Sequence, residues 1–173
     1  PDITNHKHSP STATGYHQPL LILGVQQFDL SPYDKIPLTE SQLQVSSFSD
    51  PWYKDYLVKS GTEGFWHIQR PRQEERAWVL VDLGTEQAVP LLRVKPRTDF
   101  AEQMWFGYTA ELEASNDKQN WTPLAVLGVH QTNLTDDWLY FLVGNLQPYR
   151  YYRLSVWDIY FFSMARMELY RFR

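Results

Sequence analysis

Glu111 and Glu113 are the nearest this chain comes to a catalytic carboxylate pair, and acid–base catalysis needs such groups to face a substrate from positioned sites. Spaced i, i+2 in an alternating stretch, they share the solvated side of one strand, which suits solubility better than catalysis. His6 and His8 have the chemistry of metal ligands, but there is no cysteine in the sequence to complete a site, and they read as part of a polar arm. Asp82 sits inside the apolar run Trp78-Val-Leu-Val-Asp-Leu-Gly84, where a carboxylate must find hydrogen-bond donors. It reads as a structural group tying a neighbouring loop to the scaffold. The chain has no Gly-x-Ser-x-Gly elbow, phosphate loop, dinucleotide fingerprint or His-Glu-x-x-His helix, so an enzyme is not the expected class. What remains is aromatic. Trp52, Tyr53, Trp66, Trp105, Phe106, Phe161 and Phe162 fall in segments that read as loops, where a ring face can stack on a sugar or enter a lipid interface. The alternative for each is to plug an end of the scaffold.

The elements that must carry these residues are strands. Trp78 to Gly84 is the clearest, an apolar run of strand length closed by a glycine. Tyr108 to Ser115 alternates cleanly, with Tyr108, Ala110, Leu112 and Ala114 on one face. Leu91 to Lys95, Gln42 to Phe48, Trp121 to Leu127, Trp138 to Val143, Tyr149 to Trp157 and Met164 to Phe172 supply the rest. In the last, Ala165, Met167 and Leu169 are expected to face in and Arg166, Glu168 and Tyr170 out. Leu20 to Val25 reads as an edge strand, followed by a loop broken at Pro32 and Pro37. Asp50-Pro51 opens a loop or short helical turn, and Asn116 to Asn120 makes a turn. About eight or nine short strands with no ordinary helix make an all-β, antiparallel sandwich or jelly roll the expected fold.

Composition narrows the classes. The 173 residues suit one domain, with residues 1–37 as an arm and edge strand and 38–173 as the sandwich. Seven Trp, eleven Tyr and nine Phe favour strands and recognition surfaces. A formal net charge of -4 offers nothing to a phosphate backbone, so nucleic acid is not an expected partner. No apolar run approaches the roughly 20 residues of a transmembrane helix. The sequence opens at Pro1 without a methionine, which leaves room for a signal peptide or further domains upstream.

Several pieces in fixed order then resemble a known family: Phe65-Trp66-His67, the Trp78–Gly84 strand, Arg97 after a strand, Tyr108 to Ser115 followed by Asn-Asp-Lys-Gln-Asn-Trp121, Tyr151-Tyr-Arg-Leu154 and Ala165-Arg-Met-Glu-Leu-Tyr170. Together, over Leu38 to Arg173, they are similar to coagulation factor five/eight C-type (discoidin) domains. Within that superfamily they most resemble family 32 carbohydrate-binding modules, which are galactose-binding-domain-like jelly rolls.

The resemblance implies a sugar site built from His67, Arg97 and Phe162 or Phe161. Arg97 would offer a fork of donors to hydroxyls, His67 one hydrogen bond, and a phenyl ring cover for the C–H face. It also draws Arg70, Met104 and Trp105 into the binding loops, the first two standing where the family often has tryptophan and asparagine. Those departures put galactose specificity in question, and the charge of Arg70 and Arg72 makes an acidic glycan more plausible. The competing reading for Arg97 is a surface ion pair with Asp99 or Glu102. No cofactor is required, but the family implies a structural calcium, for which Thr62 and Glu168 are the candidate ligands beside loop carbonyls. Against it, Lys59 or Ser60 stands at the acidic loop position. Two sequons, Asn120-Trp-Thr122 and Asn133-Leu-Thr135, would carry glycans only in a eukaryotic secretory pathway. The expected function is a non-catalytic, secreted or cell-surface module that tethers a larger protein to glycans, a neighbouring catalytic domain being a partner in the same polypeptide. The alternatives are a lipid- or protein-binding discoidin domain, working through Trp52, Trp105, Phe106 and Phe161, and a structural module packed on a catalytic neighbour.

Overall fold

Arg76–Gln87 (β5) is the longest strand, and its near-continuous apolar stretch follows from its position inside a sheet, flanked on both edges and covered on one face. The computed structural model describes residues 21–22, 28–61, 63–69, 76–100, 110–127, 137–144, 146–157 and 161–173. Beside β5 the described strands are Leu21–Ile22 (β1), Tyr33–Lys35 (β2), Leu43–Val45 (β3), Trp66–His67 (β4), Leu91–Lys95 (β6), Ala110–Ser115 (β7), Thr122–Leu127 (β8), Leu139–Leu142 (β9), Tyr149–Trp157 (β10), Ser163–Met164 (β11) and Arg166–Phe172 (β12). They form two five-stranded sheets, ordered β3-β5-β10-β7-β8 and β1-β9-β6-β12-β2, with β4 and β11 as a small third pair. The pairings are antiparallel, and the expected sandwich is the fold.

The two large sheets close on one core. Alternate residues of β5 (Val79, Val81, Leu83), β7 (Ala110, Leu112, Ala114) and β10 (Tyr152, Leu154, Val156) meet Leu92, Val94, Phe141, Met167 and Leu169 of the other sheet, each strand turning every second side chain inward. Short polar contacts hold the edges. Asp117 accepts from the Gln119 and Asn120 backbone amides and the Asn120 side chain, tying the β7–β8 turn together. Asp82 takes a two-pronged bond from Arg150 at 2.8 and 2.9 Å and one from the Gly84 amide. It is the structural carboxylate expected, joining the start of β10 to β5 at the partly exposed surface. Gly84 sits at φ +77°, a left-handed conformation that a side chain would strain, and the strand runs on past it.

Some elements differ from expectation for identifiable reasons. Tyr33–Lys35 lies between the two prolines that interrupt the segment yet joins the sheet, pairing with β12. The expected last strand is split into β11 and β12 around Ala165, which donates its amide to Lys95. Within β12 both faces are covered. Arg166 and Tyr170, expected outside, are each 4% exposed, because the loop before β4 and the side chains of β2 and β6 lie over that face. Trp66 and Phe162, read as loop aromatics, are each 1% exposed and meet edge to face in the core. Glu113 is paired with Arg153 at 2.8 Å, which makes it a structural ion-pair partner on the strand. The polar arm at 1–19, residues 20 and 23–25 of the first expected strand and Tyr108–Thr109 lie outside the described residues.

Candidate functional site

The loop from Ser49 to Trp52 is pinned against β4 along its backbone. The Ser49 amide donates to the His67 carbonyl at 2.9 Å, the His67 amide to the Trp52 carbonyl at 3.2 Å, and the Trp52 amide back to Ser49 at 2.6 Å. The Ser49 hydroxyl adds a bond to the Ile68 carbonyl at 2.8 Å. Local alternation then sorts the side chains of the Phe65-Trp66-His67 run. Trp66 goes into the core, donating its indole N–H to the Ser47 carbonyl, while Phe65 and His67 turn the other way into a cleft of about 320 Å³.

One wall of this cleft is a three-layer stack. The Trp52 indole lies on the Phe65 ring at 4.3 Å between centroids, 15° from parallel. The Arg97 guanidinium lies 3.8 Å from the same ring centroid. Phe65 is thus held flat between an indole and a delocalised cation, which fixes the planes of both. Asp99 grips Arg97 from its edge with a two-pronged pair at 2.7 and 2.6 Å, and that bond holds the Asp99 carboxyl below the usual aspartate range. His67 Nδ1 lies 2.6 Å from the Ile68 carbonyl oxygen. An oxygen that only accepts requires the proton on Nδ1, which makes Nε2 of the neutral ring an acceptor. Asp50, bonded by the Tyr53 hydroxyl, and Phe100, 48% exposed, complete the lining.

His67 and Arg97, expected together, do line one cleft. Phe162 does not join them: its ring is sealed against Trp66, and only its carbonyl comes near, accepting the Ile68 amide at 3.2 Å. Phe161 is 39% exposed and is not among the lining residues. The aromatic surface is supplied instead by Trp52 and Phe100. Arg70, Met104, Trp105 and Thr62 lie outside the described residues. Sequence reasoning missed Phe65, Asp50 and Phe100. Phe65 was within reach, since a residue two before His67 in a strand shares its face.

Among the described lining residues Arg97 is the cation and Asp50 the carboxylate, and Arg97 is further neutralised by its pair with Asp99, so the described cleft has no surplus positive charge for an acidic ligand. It offers flat apolar surface and a few fixed donors and acceptors, a combination suited to a small neutral molecule with hydroxyls on one side and C–H bonds on the other.

Glu168, expected as a calcium ligand, is spent otherwise. Its Oε1 accepts from Lys35 at 2.7 Å, and its Oε2 from Arg93 at 2.5 Å and Tyr170 at 2.6 Å. The loop carbonyls of Gly61, Glu63 and Gly64 accept from the Arg166 guanidinium. These described groups do not fit a calcium ion, which needs anionic oxygens turned toward it.

The F5/8 type C domain model matches residues 42–155. No curated protein sequence matches the chain. Among solved structures, the family 32 carbohydrate-binding module of Clostridium perfringens NanJ, in complex with galactose, is 17% identical with a TM-score of 0.64, covering 80% of this chain and 99% of that one. A fucose-binding module of Streptococcus pneumoniae is 18% identical with a TM-score of 0.62, covering 84% and 99%. The structure of the CBM32-1, CBM32-2 and M60 catalytic domains of Clostridium perfringens ZmpB is 13% identical with a TM-score of 0.71, covering 91% of this chain and 17% of that one.

Proposed function

Because the chain belongs to the F5/8 type C domain family, we propose that it is a non-catalytic carbohydrate-binding module whose cleft, lined by Trp52, His67 and Arg97, takes one neutral sugar ring. The observation that carries this reading is the Trp52–Phe65–Arg97 stack with His67 beside it. A pyranose has an apolar C–H face and a rim of hydroxyls, and an indole beside a fixed guanidinium edge and an imidazole acceptor matches both. Similarity to modules solved with galactose and described as fucose-binding supports the ligand class. The Asp50 carboxylate in the described lining and the pairing of Arg97 with Asp99 favour neutral sugars over uronates.

A single shallow site of this kind gives an affinity of about -4 to -6 kcal/mol, enough for a tether that works by avidity beside other modules. The arrangement of two such modules with a catalytic domain in ZmpB supports a parent enzyme as the tethered partner. Tethering to glycans puts the chain at a cell surface or in secretions. Among the described residues no helix is long and apolar enough to cross a membrane.

Calorimetric titration with galactose, N-acetylgalactosamine and fucose tests the reading, with glucuronate as the acidic control. Binding of at least one neutral sugar is expected, weakened about 10-fold in Trp52→Ala, the loss of roughly 1.4 kcal/mol that one stacked ring supplies. No binding by any of the three at millimolar concentration, with the fold intact, would refute it.

A further inference from the structure

Three backbone carbonyls in the loop before β4, those of Gly61, Glu63 and Gly64, converge on one side chain that comes from another part of the fold. Arg166, at the start of β12, donates from Nε to Gly61 at 3.1 Å, from one terminal nitrogen to Glu63 at 2.7 Å, and from the other to Gly64 at 3.0 Å. That last nitrogen also reaches the carbonyl of Ala165 at 2.6 Å. The residue is 4% exposed, and among the described residues no carboxylate forms an ion pair with it. A buried cation whose counter-charge consists of carbonyl dipoles is costly unless those dipoles are held rigidly in place. Carbonyls aimed at a common point in turn repel each other unless a cation sits between them.

The loop is built for this closure. Gly61 and Gly64 stand at φ +96° and +77°, turning their carbonyls inward through conformations that favour glycine. A side chain on Gly64 would run into the Tyr56 ring. Leu57, fully buried, anchors the preceding 3₁₀ turn in the core. Immediately after Gly64 come Phe65, the middle layer of the stack in the cleft, and His67.

We propose that Arg166 is a positioning residue whose guanidinium does for this loop what a bound divalent cation would do, gathering its carbonyls and setting the entry of Phe65 and His67 into the cleft without a metal. The fork of a guanidinium reaches several acceptors in fixed directions, whereas a calcium ion would need anionic oxygens, and Glu168, two residues along β12, is committed to Lys35, Arg93 and Tyr170. The consequence is a module whose stability and cleft geometry are indifferent to calcium.

The test needs no sugar, so its outcome is independent of the ligand reading. Thermal melts of the full chain are run in EDTA and in millimolar calcium chloride, alongside amide NMR spectra. The wild type is expected to melt at one temperature in both. Arg166→Met is expected to melt about 10 °C lower, since it orphans several carbonyls, and Arg166→Lys, which keeps the charge without the fork, should fall between. In Arg166→Lys the amide signals of Phe65 and His67 should shift while those of β7 and β8 stay in place. Arg166→Glu, which supplies the anionic oxygens, should gain a calcium-dependent rise in melting temperature. A wild type stabilised by calcium overturns the proposal, as does an Arg166→Lys variant with unmoved Phe65 and His67 signals or a folded Arg166→Glu variant blind to calcium. Should Arg166→Met fail to fold, the wild-type, lysine and glutamate arms still decide.

Discussion

At the scale of single residues, the side chains of the cleft are arranged by what they pack on more than by their own chemistry. Arg97 has both a ring below it and a carboxylate at its edge, so its remaining freedom is small and little rotamer entropy is left to lose on binding a ligand. The ion pair with Asp99 and the place in the cleft, which looked like competing readings in the sequence, are compatible. Phe161 and Phe162 could not be told apart in sequence because neighbours in an extended segment point to opposite sides, and nothing in the residue type says which one faces the core. The structure puts Phe162 inside. Phe162→Ala is accordingly expected to cost about 3–5 kcal/mol in a urea melt, and Phe161→Ala, at a site 39% exposed, clearly less. Equal losses would show the assignment to be wrong.

At the scale of elements, strands with one buried face were legible, and strands covered twice were not. Tyr149–Trp157 and Leu91–Lys95 have the expected bounds, because their pattern reports directly on burial. β12 misled, since a charged residue at every second position normally marks the solvent side, while here Arg166 is roofed by a loop and Glu168 by a cation on each flank. That carboxylate gives a pH signature. Burial works against its charge, but donation from Lys35, Tyr170 and Arg93 outweighs this and holds it below the ordinary glutamate range. A depressed folded pKa contributes stability that is present above the unfolded value, about 4.3, and is lost as pH falls through the folded value. Glu168→Gln should therefore be less stable than wild type near neutrality, by about 1–3 kcal/mol, with the gap narrowing once the pH drops below about 4. Denaturant melts across that range check it, and a gap independent of pH would remove Glu168 from the account of acid sensitivity.

At the scale of the molecule, sandwich architecture was readable from the strand count and turn spacing. The make-up of the cleft was not, because it joins segments from Ser49 to Phe100 through contacts of loop backbone with β4. The segment before Leu38 also has a part in the sheet. Tyr33–Lys35 extends the ladder of β12, Ile36 is 3% exposed in the core, and Lys35 reaches Glu168. A chain begun at Leu38 should therefore melt at least about 5 °C below the full chain, a difference that calorimetry would show directly. The sugar is proposed to sit in the cleft that Trp52, His67 and Arg97 line together, and a nitrogen–proton NMR titration with galactose, N-acetylgalactosamine and fucose, following the indole N–H of Trp52 and the Nε–H of Arg97, tests this. At least one of these sugars is expected to move both signals together, saturating at millimolar concentration or below, and in Trp52→Ala the Arg97 signal should move only at about 10-fold higher sugar concentration. Saturable binding that leaves both signals still would contradict it, as would the absence of binding by all three to the folded chain.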